Sequence, residues 1–480
     1  MEVTNILKTI AKVSHDTGTD VYVVGGYVRD QLLGLENGKE IDVVVVSGAS
    51  GNVGSGIAFA QAFDRAAHQQ GSLVEFDQFD TARYVLDNFE VEFAGARSES
   101  YRHASRKPTV QPATLGEDLA RRDFTINAMA RKVGKGGRLG KIIDPHQGQR
   151  DLKEKRLKTP LDPDETFHDD PLRMLRAARF AGQLEFSIEE KTIAALARNA
   201  GRLKIVSAER IKGELFRLLR AAKPSTGLWI LYGTKLLDQF LPEVSALHGV
   251  EEVFGYKHKE NLSHTFAVVD NIALQSQSEL LRYAGLMHDI AKPGTKKFTR
   301  GRGWTFDMHE HLGRKMTRAI GRRLRLSTDE IAYVARLVRW HLQPISLMDE
   351  GITDSAVRRL ILNLGDDLQD LLILCRSDVT TGNQRKKEQR LKNYDLLEQR
   401  IATVLEKDKM RAFQSPVRGE EIMEVCGLKA GPTVGRIKDE IERAILDGDI
   451  PNEYGPAREY FLRMKDEYRE KAAGWEKKIG

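Results

Sequence analysis

The sequence predicts an α+β head followed by an all-helical remainder, and three observations predict it. β-Branched runs such as VYVVGG (21–26) and IDVVVV (41–46), each ended by turn residues, concentrate in the first 150 residues. From about residue 160, apolar side chains recur at helical spacing through to the end of the chain. A chain of 480 residues, 41% of them hydrophobic, is too long for one core, so several domains are expected.

In order, VYVVGG reads as a buried strand running into Gly25-Gly26, where a helix begins with Tyr27-Val28-Arg29-Asp30. IDVVVV is a second buried strand. GASGNVGSG (48–56) is a plain loop leading into the helix IAFAQAFDRAAHQQ. Lacking the Lys-Ser/Thr ending of a P-loop, it encodes no phosphate cradle. SLVEFDQFD, TARYVLD and VEFAGAR (91–97) continue the mixed pattern. DPDETFHDDP separates this head from the helices PLRMLRAARFAGQL, IEEKTIAALARNAGRL and AERIKGELFRLLRAA. A His-rich helical stretch covers about 255–380. A charge-dense helix follows, NQRKKEQRLKNYDLLEQRIATVLEKDKMR, read as a solvated amphipathic helix, and 415–435 reads as a turn-rich helical hairpin. The expected boundaries are 1–155 for the head, 156–225 for a neck, 226–385 for a body and 386–480 for a tail.

Lys plus Arg number 75 against 69 Asp plus Glu, a net charge of +6 that suits a nucleic-acid partner without implying a basic tail. No apolar run is long enough to span a bilayer, and no secretory signal pattern opens the chain. Cys375 and Cys426 are the two cysteines, too few for a Cys-based zinc site or a disulfide framework. A cytoplasmic protein without a membrane partner is expected, as monomer or homodimer.

The densest chemistry is the double-glycine turn followed by KEIDVVVV. Two glycines at a strand-to-helix turn let a phosphate approach the backbone and the free N–H groups of a helix start. Glu40 and Asp42, two apart at the start of a strand, share one face and repel unless cations lie between them, the requirement of a two-Mg²⁺ site. A third carboxylate is expected. Glu92 opposes Val91 and Phe93, with Glu90 and Glu99 as competitors. In DDPLRMLRAARF, Asp170, Arg173, Arg176 and Arg179 are spaced three apart and form a drifting stripe on a helix. Such a stripe is either a solvated salt-bridge ladder or a reader of base edges.

The ordered motifs GGYVRDQLLG, EID, VEFAGARSESY, DLARRDFTINAMA, IIDPHQGQRDL and DDPLRMLRAARF resemble the class II tRNA nucleotidyltransferase and bacterial poly(A) polymerase family. The resemblance implies a nucleotidyltransferase head whose paired catalytic acids Glu40 and Asp42 carry Mg²⁺, with Glu92 expected beside them as the candidate third catalytic carboxylate. Glu40 stands where the family usually has Asp, which implies an altered metal geometry. It further implies nucleotide-binding roles for Gly25, Gly26, Arg29 and Asp30, for Arg122, Asp123 and Asn127, and for Asp170, Arg173, Arg176 and Arg179. Of these, Asp170 and Arg173 would read CTP and then ATP; the family motif begins Glu-Asp where this chain has Asp169-Asp170. Arg121 is open to a structural pairing with a neighbouring Asp. The implied activity is template-independent addition of CCA to the 3′ end of tRNA, with RNA also bound by the tail. Poly(A) addition, partial CC or A addition, and a phosphohydrolase with an RNA-binding head are the alternatives.

His264, His288-Asp289, His309, His341 and Asp378 lie on several predicted helices and together offer a cage for a divalent metal. His309-Glu310-His311 is not H-E-x-x-H, since its histidines do not share a helix face. The stretch resembles an HD phosphohydrolase domain. That resemblance implies His264, His288, Asp289 and Asp378 as ligands of a divalent transition metal, with His309 and His341 at the further positions of two-metal members. It implies a phosphodiesterase or phosphatase acting on RNA ends, the alternative being a metal-stabilised body that only contacts tRNA.

Overall fold

The computed structural model describes residues 2–35, 39–46, 55–100, 109–249, 252–253, 256–257, 260–348, 353–412, 415–446, 449–451 and 453–476. Most of the loop GASGNVGSG lies outside them, as does the side chain of Glu99. Two compact units result, one of residues 1–344 with 364–391 and one of 345–363 with 392–480.

The first unit opens with α1 (Val3–Thr17), β1 (Asp20–Val24), α2 (Gly26–Leu33), β2 (Glu40–Val46) and α3 (Gly56–Ala66). There follow β3 (Ser72–Phe76), β4 (Thr81–Val85), β5 (Glu90–Gly95), the hairpin β6 (Arg97–Ser100) and β7 (Thr109–Pro112), α4 (Leu115–Ala120), β8 (Ala130–Val133) and β9 (Leu139–Ile143). Seven strands form one sheet in the order β3-β4-β5-β2-β1-β8-β9. Only the central β2–β5 pair is parallel. The α+β head expected from the sequence is therefore present.

The pleat sorts the side chains. Ile41, Val43, Val45, Val91 and Phe93 are buried on one face. There Phe59 and Phe63 of α3 sit 5.4 and 5.0 Å from the Phe93 ring. Truncating fully buried Phe63 to Ala would cost about 3–5 kcal/mol. Glu40, Asp42 and Glu92 consequently emerge on the other face, at the end not covered by the cluster of Val24, Val44, Leu119 and Ala128.

DPDETFHDDP is not a bare separator. After α5 (Gly148–Lys153) it forms α6 (Pro163–Asp169), with Pro163 in the first turn and the Asp162 side chain accepting from the Asp164 and Glu165 amides. Its proline and acids are helix-start signals that resemble linker composition. The neck continues with α7 (Leu172–Leu184), α8 (Glu190–Asn199), α9 (Ala208–Leu219), α10 (Pro224–Gly233) and the short α11 (Leu237–Phe240) and α12 (Pro242–Ser245). The body comprises α13 (Asn261–Ala273), α14 (Glu279–Met287), α15 (Lys292–Thr295), α16 (His309–Arg323), α17 (Thr328–Trp340), α18 (Gln343–Ser346), α19 (Asp354–Leu364) and α20 (Leu368–Ser377). Of these, α19 falls almost wholly in the second unit. Strands do not vanish entirely: Lys297–Thr299 and Gly303–Thr305 form a small hairpin, turned by Gly301 at φ +86°.

Neck and body are fastened by buried and half-buried polar groups. Arg282 of α14, fully buried, donates to the carbonyls of Leu219 and Ala221 at the end of α9 and of Ala273 at the end of α13. Lys212 of α9 pairs with Glu330 of α17 at 2.7 Å.

The second unit includes most of the charge-dense helix, α21 (Gln384–Ala412), then α22 (Gly419–Cys426), α23 (Pro432–Leu446) and α24 (Tyr454–Glu476). The last three bury Ile422, Ile437, Ile441, Phe461 and Tyr468 in a core of their own. No helix among the described residues is long and apolar enough to cross a membrane.

Candidate active site and metal centre

Parallel pairing of β2 with β5 sets Asp42 beside Glu92 and Glu40 beside Glu90, so all four carboxylates share a face. Arg83 on β4 separates their fates. Its Nε is 2.7 Å from Glu90, while its Nη2 lies 3.4 Å from Glu92. Glu40, Asp42 and Glu92 all line a cavity of about 860 Å³. Burial pushes the Asp42 carboxyl up to about 6; Arg122 opposes the rise, and the charges of Glu92 and Glu40 add to it. A carboxylate held in that repulsive setting suits a cation, the test that this chain meets for a metal at Glu40, Asp42 and Glu92.

Gly25 sits at φ +68°, and a Cβ there would meet Asp42 Oδ2 at 3.0 Å and Arg122 Nη1 at 3.2 Å. Only glycine lets the end of β1 pass this closely between two charged side chains. Arg122 is steadied from below by the buried Asp118, whose Oδ2 accepts from its Nη2 at 3.1 Å. The other oxygen of Asp118 holds Arg121, so Arg121 is the structural partner of the pair.

A polar chain continues along the cavity. Asp30 grips Arg29 at 2.8 Å, Arg29 Nη1 donates to Asn127 Oδ1 at 2.8 Å, and the Asn127 amide donates to Asp123 at 3.0 Å. Asp123 also accepts from Arg176. Burial raises the Asp123 carboxyl, but Arg176, Asn127 and Arg173 outweigh it and hold it down at about 2. Asp30 thus orients Arg29.

The stripe on α7 is broken at its start. Asp170 precedes the helix, caps the Leu172 amide at 3.2 Å and pairs with Arg210 at 3.0 Å. Arg173 is buried and directed to the Thr166 carbonyl at 3.5 Å. Arg176 and Arg179 line the cavity itself. Arg29, Arg176 and Arg179 all surround the Phe180 ring, at 5.1, 5.3 and 4.1 Å. Burial and the neighbouring Arg176 push the Arg179 guanidinium down to about 10, opposed by buried Glu214, 2.7 Å away on α9. Phe180, Glu214, Asp118 and Arg210 are site residues that the sequence pattern did not reveal. Asp118, three and four residues before Arg121 and Arg122, carried a legible signal.

The body holds a second cluster. His264, His288 and Asp378 form one group, and Asp289, His309 and His341 another. Asp289 joins them: Oδ2 is 3.2 Å from His288 Nε2 and 3.5 Å from His264, while Oδ1 is 3.3 Å from His309 and 3.9 Å from His341. The Nδ1 atoms of His288, His309 and His341 bond backbone carbonyls of Gly285, Phe306 and Val338 at 2.7–2.8 Å, and His264 Nδ1 bonds Thr380 at 2.7 Å. Every ring therefore turns Nε2 inward, and that of His288 is buried without a hydrogen-bond partner. An orphaned imidazole nitrogen among carboxylates is what a metal ligand looks like. Burial and the nearby His288 bring His341 down to about 4, which keeps it neutral and able to coordinate. Lys292 pairs with Asp289 Oδ2 at 2.5 Å.

Residues 21–158 match the poly A polymerase head domain, 185–247 the probable RNA and SrmB-binding site of polymerase A, and 260–383 the HD domain. The chain is 32% identical over 361 residues to an A-adding tRNA nucleotidyltransferase of Deinococcus radiodurans, 72% of this chain and 78% of that one. It is 35% identical over 375 residues to a Multifunctional CCA protein of Ralstonia nicotianae, 75% and 82% of the two chains. A solved tRNA nucleotidyltransferase, complexed with a primer tRNA and an incoming ATP analog, aligns with TM-score 0.57 at 25% identity, covering 82% of this chain and 99% of that one. The carboxylate pair, Arg29, Arg122 and the His/Asp cluster thus fall within matched segments, and the chain belongs to the tRNA nucleotidyltransferase family.

Proposed function

We propose that this chain adds CCA to the 3′ end of tRNA from CTP and ATP, without a nucleic-acid template. The observation that carries the reading is the Asp42–Glu92 register pair facing a cavity walled by Arg29, Arg122, Arg176 and Arg179. Glu40, Asp42 and Glu92 would hold Mg²⁺; two such ions, when bound, acidify the RNA 3′-hydroxyl and neutralise the departing pyrophosphate. The arginines bind the triphosphate, since a guanidinium offers a fork to phosphate oxygens. Asn127 and Asp123 fix Arg29 and Arg176 in the direction of the phosphates. Asp170 and Arg173 select the base, with Arg210 holding Asp170 in place. Phosphoryl transfer asks mainly for positioning and charge neutralisation, which these groups supply.

The names of the relatives support tRNA as acceptor. The A-adding name of one of them favours a second reading, in which only the terminal A is added. Incubating the protein with tRNA lacking its 3′ end and each labelled nucleotide, then sizing the product, tests both. Three additions ending in A mean CCA, and one addition to a CC end means the A-adding reading. In the body, the His/Asp cluster would hold one or two divalent transition metals and hydrolyse phosphate esters at RNA ends, which assays on 2′,3′-cyclic phosphate ends would check.

A further inference from the structure

The face of the sheet that carries Asp42 and Glu92 continues past them across β4 to the edge strand β3. Register fixes which residues share it. Glu92 stands opposite Arg83 and Arg83 opposite Val74; Ala94 stands opposite Thr81 and Thr81 opposite Phe76; Glu90 stands opposite Val85. The reverse face of these strands is sealed, with Ala82 and Tyr84 fully buried. On the carboxylate face, Val74, Phe76 and Val85 are 45%, 41% and 40% exposed. Clustered apolar exposure at a sheet edge is a liability unless something uses it. The patch is continuous with the cavity, because Arg83 both lines it and lies 6.0 Å over the Phe76 ring.

In-line displacement determines what belongs there. The attacking hydroxyl and the departing pyrophosphate lie on opposite sides of the reacting phosphorus. Arg29, Arg122, Arg176 and Arg179 occupy the flank on the side of Gly25 and α7, which assigns that side to the triphosphate. The acceptor then approaches from β5 toward β4 and β3. Strand spacing puts β4 about 5 Å and β3 about 10 Å from Glu92, a distance one nucleoside spans.

We propose that Val74, Phe76 and Arg83 form the platform for the 3′-terminal nucleoside of the RNA acceptor, its base on the apolar patch and its 3′-hydroxyl toward Asp42 and Glu92. This rests on the transferase reading above and extends it. An acceptor whose last base changes with each addition needs a surface that does not read hydrogen bonds, and an aromatic and aliphatic platform meets that need because every base has a π-face. Arg83, paired with Glu90 and Glu92, ties the platform to the carboxylates.

The test measures KM separately for truncated tRNA and for CTP in the full-length Phe76→Ala and Val74→Ser variants, with circular dichroism to verify folding. Loss of one stacked base predicts a rise in KM for tRNA of roughly 5- to 100-fold, with KM for CTP unchanged and Phe76→Trp near wild type. An unchanged KM for tRNA in folded Phe76→Ala, or a rise confined to CTP, overturns the platform while leaving the transferase reading intact. So does a wild-type dimer that Phe76→Ala converts to monomer, since the patch is then an interface between two copies. A wild-type protein that extends no tRNA with any nucleotide overturns the transferase reading itself.

Discussion

Arg176 grips one oxygen of the buried Asp123 carboxylate with two nitrogens, Nε at 2.7 Å and Nη2 at 2.6 Å. The other oxygen is taken by the Asn127 amide and the Phe124 backbone N–H. Asp123 is held at about 2 in the folded chain against an ordinary value of 3.8. Its folded-state value is the lower one, so its stabilisation is fully present above about pH 4 and is lost as pH falls toward 2. That difference amounts to roughly 2 kcal/mol. Asp123→Asn should lose about that much at pH 7 and flatten the stability curve between pH 4 and 2, as followed by urea unfolding at each pH.

Removing the carboxylate pair should end nucleotide addition. Glu40→Ala with Asp42→Ala is expected to cut labelled CTP incorporation into truncated tRNA by roughly 10³-fold or more, since such transfers depend mainly on neutralising the charge of the reacting phosphates. Glu90→Gln should cost little by comparison, because Glu90 is paired with Arg83.

Glu214 lies buried beneath Arg179 and Arg217, on a different helix from Arg179. Glu214→Gln should raise KM for nucleotide by about tenfold with a smaller change in kcat, through a misplaced Arg179. An equal fall in kcat would instead place Glu214 in the reacting step.

Purified protein should carry divalent metal in the body, released by chelation. His288→Ala should lose metal from the His264 group, while His341→Ala should lose it from the Asp289 group alone, by metal analysis of each variant. Both should leave nucleotide addition by the head within about twofold if the centres act independently.

The sequence made the head's strands and the carboxylate face legible, because alternation reveals which side chains share a face. It left Glu90, Glu92 and Glu99 unresolved. Glu90 and Glu92 have the same parity, and what separates them is the reach of Arg83 from the neighbouring hairpin strand, closer to Glu90 than to Glu92, which alternation alone does not encode. The Arg stripe was visible on α7, but not that Asp170 lies outside the helix. Glu214 and Phe180 sit in apolar helical patterns that read as core. They become site residues only through packing of α7 against α9. The His/Asp cluster was legible as a ligand set, whereas the shared role of Asp289 depends on where three separate helices place His264, His309 and His341.

The guanidinium of Arg282 meets the end of α9, which carries Glu214 at the nucleotide cavity, and the end of α13, which carries His264. One buried cation thus braces both the helix that lines the cavity and the helix that carries a histidine of the second cluster. Replacing it would therefore disturb both places at once, because three backbone carbonyls at two helix ends would lose their buried donor.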